Sequence, residues 1–202
     1  MASDSTTSQT TLDVARRLGV MRLRDAREHG IHPETIRRLV AAGQLTKVGR
    51  GMYALAEDNS TEHVDLARAS VRVPHGIVCL LSALSYHGIG TQLPHEVWMM
   101  IDRRAHRPQV DHPPMRFVLG SGASLTEGID EVAIDGRDVR IFNPAKTVVD
   151  CFRYRRHVGL EVALEALRET LRARRSSPAE IGRYAKNCRV ASVIRPYLEA
   201  MS

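Results

Sequence analysis

LRDAREHG (23–30), HPETIRRLVAAG (32–43) and LTKVGRGMYAL (45–55) follow one another with a single residue between each. The first stretch reads as a short helix closed by Gly30. In the second, Pro33 suits the first helical position, where a missing N–H costs nothing. Glu34 adds negative charge near the positive end of the helix dipole. Ile36, Leu39 and Val40 repeat at i, i+3, i+4 and give one apolar stripe. At about 100° per residue, Glu34, Arg38 and Ala41 fall opposite that stripe, with Thr35 and Arg37 on its flanks. Gly43 serves as a left-handed stop. The third stretch reads as a tight β-hairpin, Leu45–Val48 with Met52–Leu55, turning through Gly49-Arg50-Gly51, where two glycines permit positive φ. Two helices, a short Gly-containing link and a hairpin spell a winged helix-turn-helix.

In such a module the second helix reads base edges and the wing touches phosphates. The residues placed to do so are His32, Thr35, Arg37 and Arg38 on or beside the helix, and Lys47 and Arg50 on the wing. Arg38 is the first choice for a bidentate bond to guanine. Glu34 on the same face opposes phosphate unless it reads a cytosine.

Working outward, TLDVARRLG (11–19) reads as a first helix, which places the winged helix at residues 10–58 behind a polar, disordered tail at 1–9. Glu57-Asp58-Asn59-Ser60 reads as a linker, and residues 61–202 as a second domain. A helix is expected over 61–73. IVCLLSALSYHG (77–88) is too uniformly apolar for its periodicity to separate strand from helix. Strands are expected at 97–101, 116–119, 131–134 and 139–142, the last two joined by Asp135-Gly136, a two-residue hairpin signal. Helices follow near 145–154, 159–174, 178–187 and 190–201. The fold class is therefore α+β: an N-terminal winged helix-turn-helix, then a small mixed sheet packed with a C-terminal helical bundle.

The 202 residues are 43% hydrophobic and 26% charged, enough apolar material for a core. No run of about 18 apolar residues and no signal-peptide pattern is present, which points to the cytoplasm and away from a membrane. Cys79, Cys151 and Cys188 lack metal or disulfide spacing and read as small buried hydrophobes. The net charge is +6, and residues 145–202 carry twelve basic against six acidic side chains. A basic surface favours an anionic partner. Within it Arg153, Arg155 and Arg156, then Arg172, Arg174 and Arg175, form two clusters able to meet an anion or a partner protein. Lys146 sits unfavourably in the first turn of a helix, which suggests an anionic contact, although a surface lysine paired with Asp150 at i, i+4 also accounts for it.

Enzyme chemistry is poorly supported, and no catalytic residue, metal or cofactor is expected. Gly120-Ser121-Gly122 with Asp130, Glu131 and Asp135 invites comparison with metal-dependent nucleotidyl transfer, but no Asp-x-Asp pair lies on one strand. Asp102, His106, Asp111 and His112 fall in a Pro-rich loop among arginines that repel cations. His87 near Ser82 and Ser85 lacks a nucleophile elbow.

SALSYHGI (82–89), LPHEVW (93–98) and NPAKTVVDCF (143–152), with the wing ending GMY (51–53), resemble in order and spacing the AbiEi-type antitoxins of abortive-infection AbiE systems, classed as type IV toxin–antitoxin pairs. The resemblance runs from about residue 10 to 200. It implies a transcriptional autorepressor that binds inverted repeats of double-stranded operator DNA, and therefore acts in two copies, by dimerisation or by cooperative binding of monomers. It also implies an antitoxin that antagonises a separately encoded nucleotidyltransferase-like toxin without needing a stable complex. The alternatives are a protein-interaction antitoxin without DNA binding and a metal-dependent nucleic-acid-modifying enzyme.

Overall fold

The computed structural model describes residues 2–56, 63–110 and 113–201, with side chains from residue 7 onward. The expected linker at 57–60, the start of the helix expected at 61, and the loop residues Asp111 and His112 lie outside the described residues. The class is mixed α+β with two small sheets, and the chain divides into two compact units.

The first unit comprises residues up to Arg72 together with Ala133–Asp138. Its elements are α1 (Ala2–Leu18), β1 (Met21–Arg22), α2 (Leu23–Glu28), α3 (Pro33–Ala41), β2 (Leu45–Gly49), β3 (Met52–Leu55) and α4 (Val64–Arg72). The strands form one antiparallel sheet in the order β1-β3-β2. This succession fits a winged helix-turn-helix. Its core joins Val14, Ala15, Met21, Ala26, Ile31, Ile36, Leu39 and Leu45, so each helix contributes the apolar stripe its period dictates.

Three features depart from the sequence reading. Helix α1 begins at Ala2, so it takes in residues expected to form a tail. Its early turns are tied by the Thr11 hydroxyl, which donates to the Thr7 carbonyl at 2.7 Å. Strand β1 was not foreseen. And α4 belongs to the first unit, with Val71 packed against Val20 and Met52; the break between units therefore falls after Arg72.

Residues 133–138 carry the hairpin turn between β7 (Ile129–Ile134) and β8 (Arg137–Phe142). Asp135 and Gly136 have φ of +47° and +70°, the two positive values that a tight hairpin of this hand requires. Within the unit this turn is closely fitted. A Cβ on Gly136 would lie 1.8 Å from the Arg17 carbonyl oxygen. Arg137 donates from Nε to the Val20 carbonyl at 2.8 Å, and its Nη2 meets the buried Asp25 carboxylate. Asp25 also accepts from the Arg22 backbone N–H at 2.9 Å, closing the N-terminus of α2.

Burial alone would lift the Asp25 carboxyl, but the Arg22 N–H and the Arg137 guanidinium outweigh it and hold it below its usual range. A depressed carboxyl contributes stability that is whole above the ordinary Asp value and is lost as pH falls through the folded one. Thermal melts from about pH 5 to about pH 2 should therefore show an acid-limb loss in the wild type that Arg137→Ala reduces; equal acid sensitivity of the two proteins would contradict the pairing.

The second unit holds Val73–Val132 and Val139–Ser202. It contributes β4 (Ile77–Val78), α5 (Leu80–Tyr86), β5 (Val97–Asp102), β6 (Met115–Gly120), α6 (Ala123–Thr126), α7 (Pro144–Arg153), α8 (Arg155–Val158), α9 (Leu160–Arg172), α10 (Pro178–Asn187) and α11 (Ala191–Met201). The strand order in the sheet is β6-β5-β4-β8-β7, with β4 antiparallel to β5 and parallel to β8, and β5 parallel to β6. The apolar run 77–88 divides: two residues pair as β4, Leu80 takes φ +48°, and the chain turns at once into α5. Around α7, with Val148, Phe152 and their neighbours, one core gathers Ile77, Leu84, Trp98, Leu167, Ile181 and Ile194. The short helices α6 and α8 were not foreseen.

Candidate nucleic-acid interface

Helix α3 is set by both ends and by one face. His32 caps it, its Nδ1 accepting from the Glu34 N–H at 3.2 Å, and Pro33 opens the first turn. Ile36 and Leu39 are buried. Glu34, Arg37, Arg38 and Ala41 are exposed, and with Thr35 they line an open depression. The polar face expected from the 3.6-residue period is thus brought together on one side. Arg37 Nη1 meets Glu34 Oε2 at 3.0 Å, both side chains standing largely in solvent. Such exposed pairs are worth about 0–1 kcal/mol, so Arg37 can leave Glu34 for another anion at little cost. Arg38 Nη2 donates to the Ser8 hydroxyl of α1 at 2.8 Å.

One expectation needs correction. Thr35, expected to offer its hydroxyl from the flank, is only 9% exposed, because its angular position falls nearer the apolar stripe than the open face. His32 is exposed, but its Nδ1 is engaged as the cap. Sequence reasoning also missed Ser8. Its one signal was a continuous helical phase upstream of Thr11, masked by a Ser/Thr-rich composition that disfavours helix.

The wing is as local chemistry dictates. Leu45 faces Leu55 and Lys47 faces Tyr53 across the ladder, with an irregularity between Lys47 and Gly49. Gly51 has φ +68°. Lys47 and Arg50 are exposed at and beside the turn.

In the second unit the basic residues are less uniform. Arg156, Arg172, Arg174 and Arg175 are exposed. Arg153 lies 5.5 Å from the Tyr154 ring centroid, and Arg155 donates to the Phe152 carbonyl at 3.0 Å; both are half-buried. The two groups flank the 13-residue α9, whose rise of 1.5 Å per residue sets them about 20 Å apart. They do not merge into one patch.

Lys146 is the clearest correction. It is fully buried, so it offers no surface to an anion or partner. Its Nζ lies 2.5 Å from Asp150 Oδ2 and 3.1 Å from the Ser124 carbonyl, and 4.0 Å from the Phe142 ring centroid. The i, i+4 pairing with Asp150 is present, but in the core. Burial lifts the Asp150 carboxyl, against the pull of Lys146.

The motif segments hold one another. The Trp98 N–H donates to the buried Ser82 hydroxyl at 2.9 Å, and His87 Nε2 donates to the Phe142 carbonyl at 2.8 Å. The Asn143 side chain accepts from the Lys146 N–H and caps α7. These residues bind SALSYHGI, LPHEVW and NPAKTVVDCF into one packed unit; their job is internal. Burial pushes His87 below its usual range despite the carbonyl it meets. Cys79, Cys151 and Cys188 are free and buried, and burial raises each thiol. Asp130 and Glu131 are consecutive on β7 and so project to opposite faces, while Asp135 sits in the turn. No three His, Cys, Asp or Glu residues among those described are grouped to hold a metal ion. No helix among the described residues is long and apolar enough to cross a membrane.

The fold is similar to that in the crystal structure of the RV2827C protein from Mycobacterium tuberculosis, with a TM-score of 0.65 and 15% identity over 96% of this chain and 77% of that one. No curated protein matches the sequence. Residues 9–56, which hold most of α1, the helix pair and the wing, match the family model of the AbiEi antitoxin transcriptional regulators.

Proposed function

We propose that this protein is a DNA-binding autorepressor and the antitoxin of a type IV, AbiE-like pair. It occupies inverted repeats in its own promoter and antagonises a nucleotidyltransferase-like toxin. The observation that carries this reading is the face of α3: Arg37 and Arg38 exposed on an apolar-anchored helix, followed by a wing presenting Lys47 and Arg50, all within the stretch that matches a regulator family. The helix enters a major groove and the wing tracks the backbone. An arginine bidentate to guanine gives about 1–3 kcal/mol of discrimination, which makes Arg38 the specificity residue and Arg50 an affinity residue. Inverted repeats require two copies on each operator.

The test is a gel shift on the DNA upstream of the protein's own reading frame. The wild type should shift it, and Arg38→Ala with Arg50→Ala should weaken binding at least tenfold, about 1.4 kcal/mol. A wild type that gives no shift, or a double variant that shifts equally well, would instead support an antitoxin acting through protein contacts alone.

A further inference from the structure

Strand β5 ends at Asp102, and the chain turns through Arg103-Arg104-Ala105-His106-Arg107 on its way to β6. The turn is fixed by three hydrogen bonds. Asp102 Oδ1 accepts the Arg104 N–H at 2.7 Å, the Asp102 carbonyl accepts the Ala105 N–H at 2.9 Å, and the Gly120 carbonyl at the end of β6 accepts the Arg103 N–H at 2.9 Å. The backbone is therefore ordered before any partner arrives, which removes much of the entropic cost of binding.

The side chains are left over. Arg103, Arg104, His106 and Arg107 are all exposed. Among the described residues, none of the three arginine side chains makes a hydrogen bond or an ion pair. Arg16, Arg37, Arg116 and Arg183, by contrast, each have an acidic neighbour between 2.8 and 3.9 Å away. Positions 103–110 contain three arginines, no acidic residue, no Phe, Tyr or Trp and no large apolar residue apart from Val110, while Asp102, whose carboxylate accepts the Arg104 N–H, and Asp111 flank them. Protein interfaces gather aromatic and apolar side chains at their centre, whereas nucleic-acid interfaces are polar and strongly cationic. Guanidinium forks match phosphate oxygens in geometry as well as charge.

We infer that the β5–β6 turn, through Arg103, Arg104 and Arg107, is a second nucleic-acid contact that grips the phosphate backbone of duplex DNA without reading its sequence. The inference rests on the DNA-binding reading above but assigns a contact to the second unit, apart from α3 and the wing.

The experiment uses the full chain and a short DNA duplex unrelated to its upstream region, with binding followed by fluorescence anisotropy across a salt series. Each phosphate contact contributes about 0.9 to the slope of log K against log salt, so Arg103→Ala with Arg104→Ala and Arg107→Ala should flatten the slope by about 2 to 3. The matching triple Arg→Lys variant keeps the charge and should keep the slope. An unchanged slope in the alanine variant overturns the inference. So does failure of the wild type to bind the unrelated duplex, a result that leaves the gel shift on upstream DNA to decide operator reading separately. Loss of toxin neutralisation in the alanine variant at an unchanged slope would assign the turn to an acidic protein surface, and overturns it too.

Discussion

Lys146→Met should cost the second unit about 3–5 kcal/mol, the range seen when one member of a buried ion pair is removed. Lys146 and Asp150 are both fully buried, and Asp150 Oδ1 has no hydrogen-bond partner among the described residues. The ammonium is the cation bonded directly to that carboxylate, with Arg153 acting on it at longer range, and without the ammonium the carboxyl must take up a proton or remain charged in an apolar core. The melting midpoint should fall by roughly 10–20 °C. The double variant Lys146→Met with Asp150→Leu removes both charges and should recover most of the loss, because well-packed apolar replacements of a buried pair are often neutral or stabilising. The sign of the pH dependence is also set. Burial raises the Asp150 carboxyl, so its contribution is whole below the ordinary Asp value and is lost as pH rises through the folded one; the single variant should be least stable at the alkaline end of that window. Urea melts of the three proteins decide. A single variant within about 1 kcal/mol of wild type, well under the buried-pair range, or a double variant no better than the single, would refute the account.

Gly136→Ala should be nearly as costly to the first unit. Gly136 combines φ +70° with a backbone wall: an added Cβ would meet the Arg17 carbonyl oxygen at 1.8 Å, its carbon at 2.8 Å and Leu18 Cα at 3.1 Å. None of these is a flexible side-chain end. The left-handed conformation costs an L-residue about 1–2 kcal/mol, and forced displacement of packed backbone adds about 1–3. Gly30 is the control, because it has φ +68° with nothing within 4 Å of an added Cβ. Gly30→Ala should show the conformational cost alone. Equal losses for the two variants would mean the close approach to Arg17 is not real. Because α3 and the wing belong to the same unit, Gly136→Ala should also weaken the gel shift, whereas Gly30→Ala should leave it largely intact.

Much of this was legible because it is local. Pro33 and Pro178 at first helical positions, Asn143 and Ser177 as caps, and the Asp135-Gly136 turn each announce themselves within a few residues, and α7, α9, α10 and α11 lie close to where they were expected. The open face of α3 follows from a 3.6-residue period. What stayed hidden depends on distant partners. Strand β1 is two residues long and exists through its pairing of Met21 with Tyr53. The split of 77–88 into β4 and α5 is invisible because both halves are buried and therefore uniformly apolar. Lys146 looked like a surface residue because its burial requires Asp150, the Ser124 carbonyl and the Phe142 ring at once. Ser8 beside Arg38 needed the helix to run back through a polar segment.

The first unit has a discontinuous chain: Asp25 waits for Arg137, more than a hundred positions later. Translation is vectorial, and a ribosome adding about 5–20 residues per second must make a long stretch of the second unit before that guanidinium emerges. Until then the nascent winged helix holds that carboxylate with only its local partners, the Arg22 N–H and the exposed Arg24 at 3.5 Å, and it completes only after much of the following sheet has been synthesised. A fragment ending near residue 72 would be arrested at that same stage, which makes proteolytic release of a self-sufficient N-terminal head an unfavourable route for this molecule.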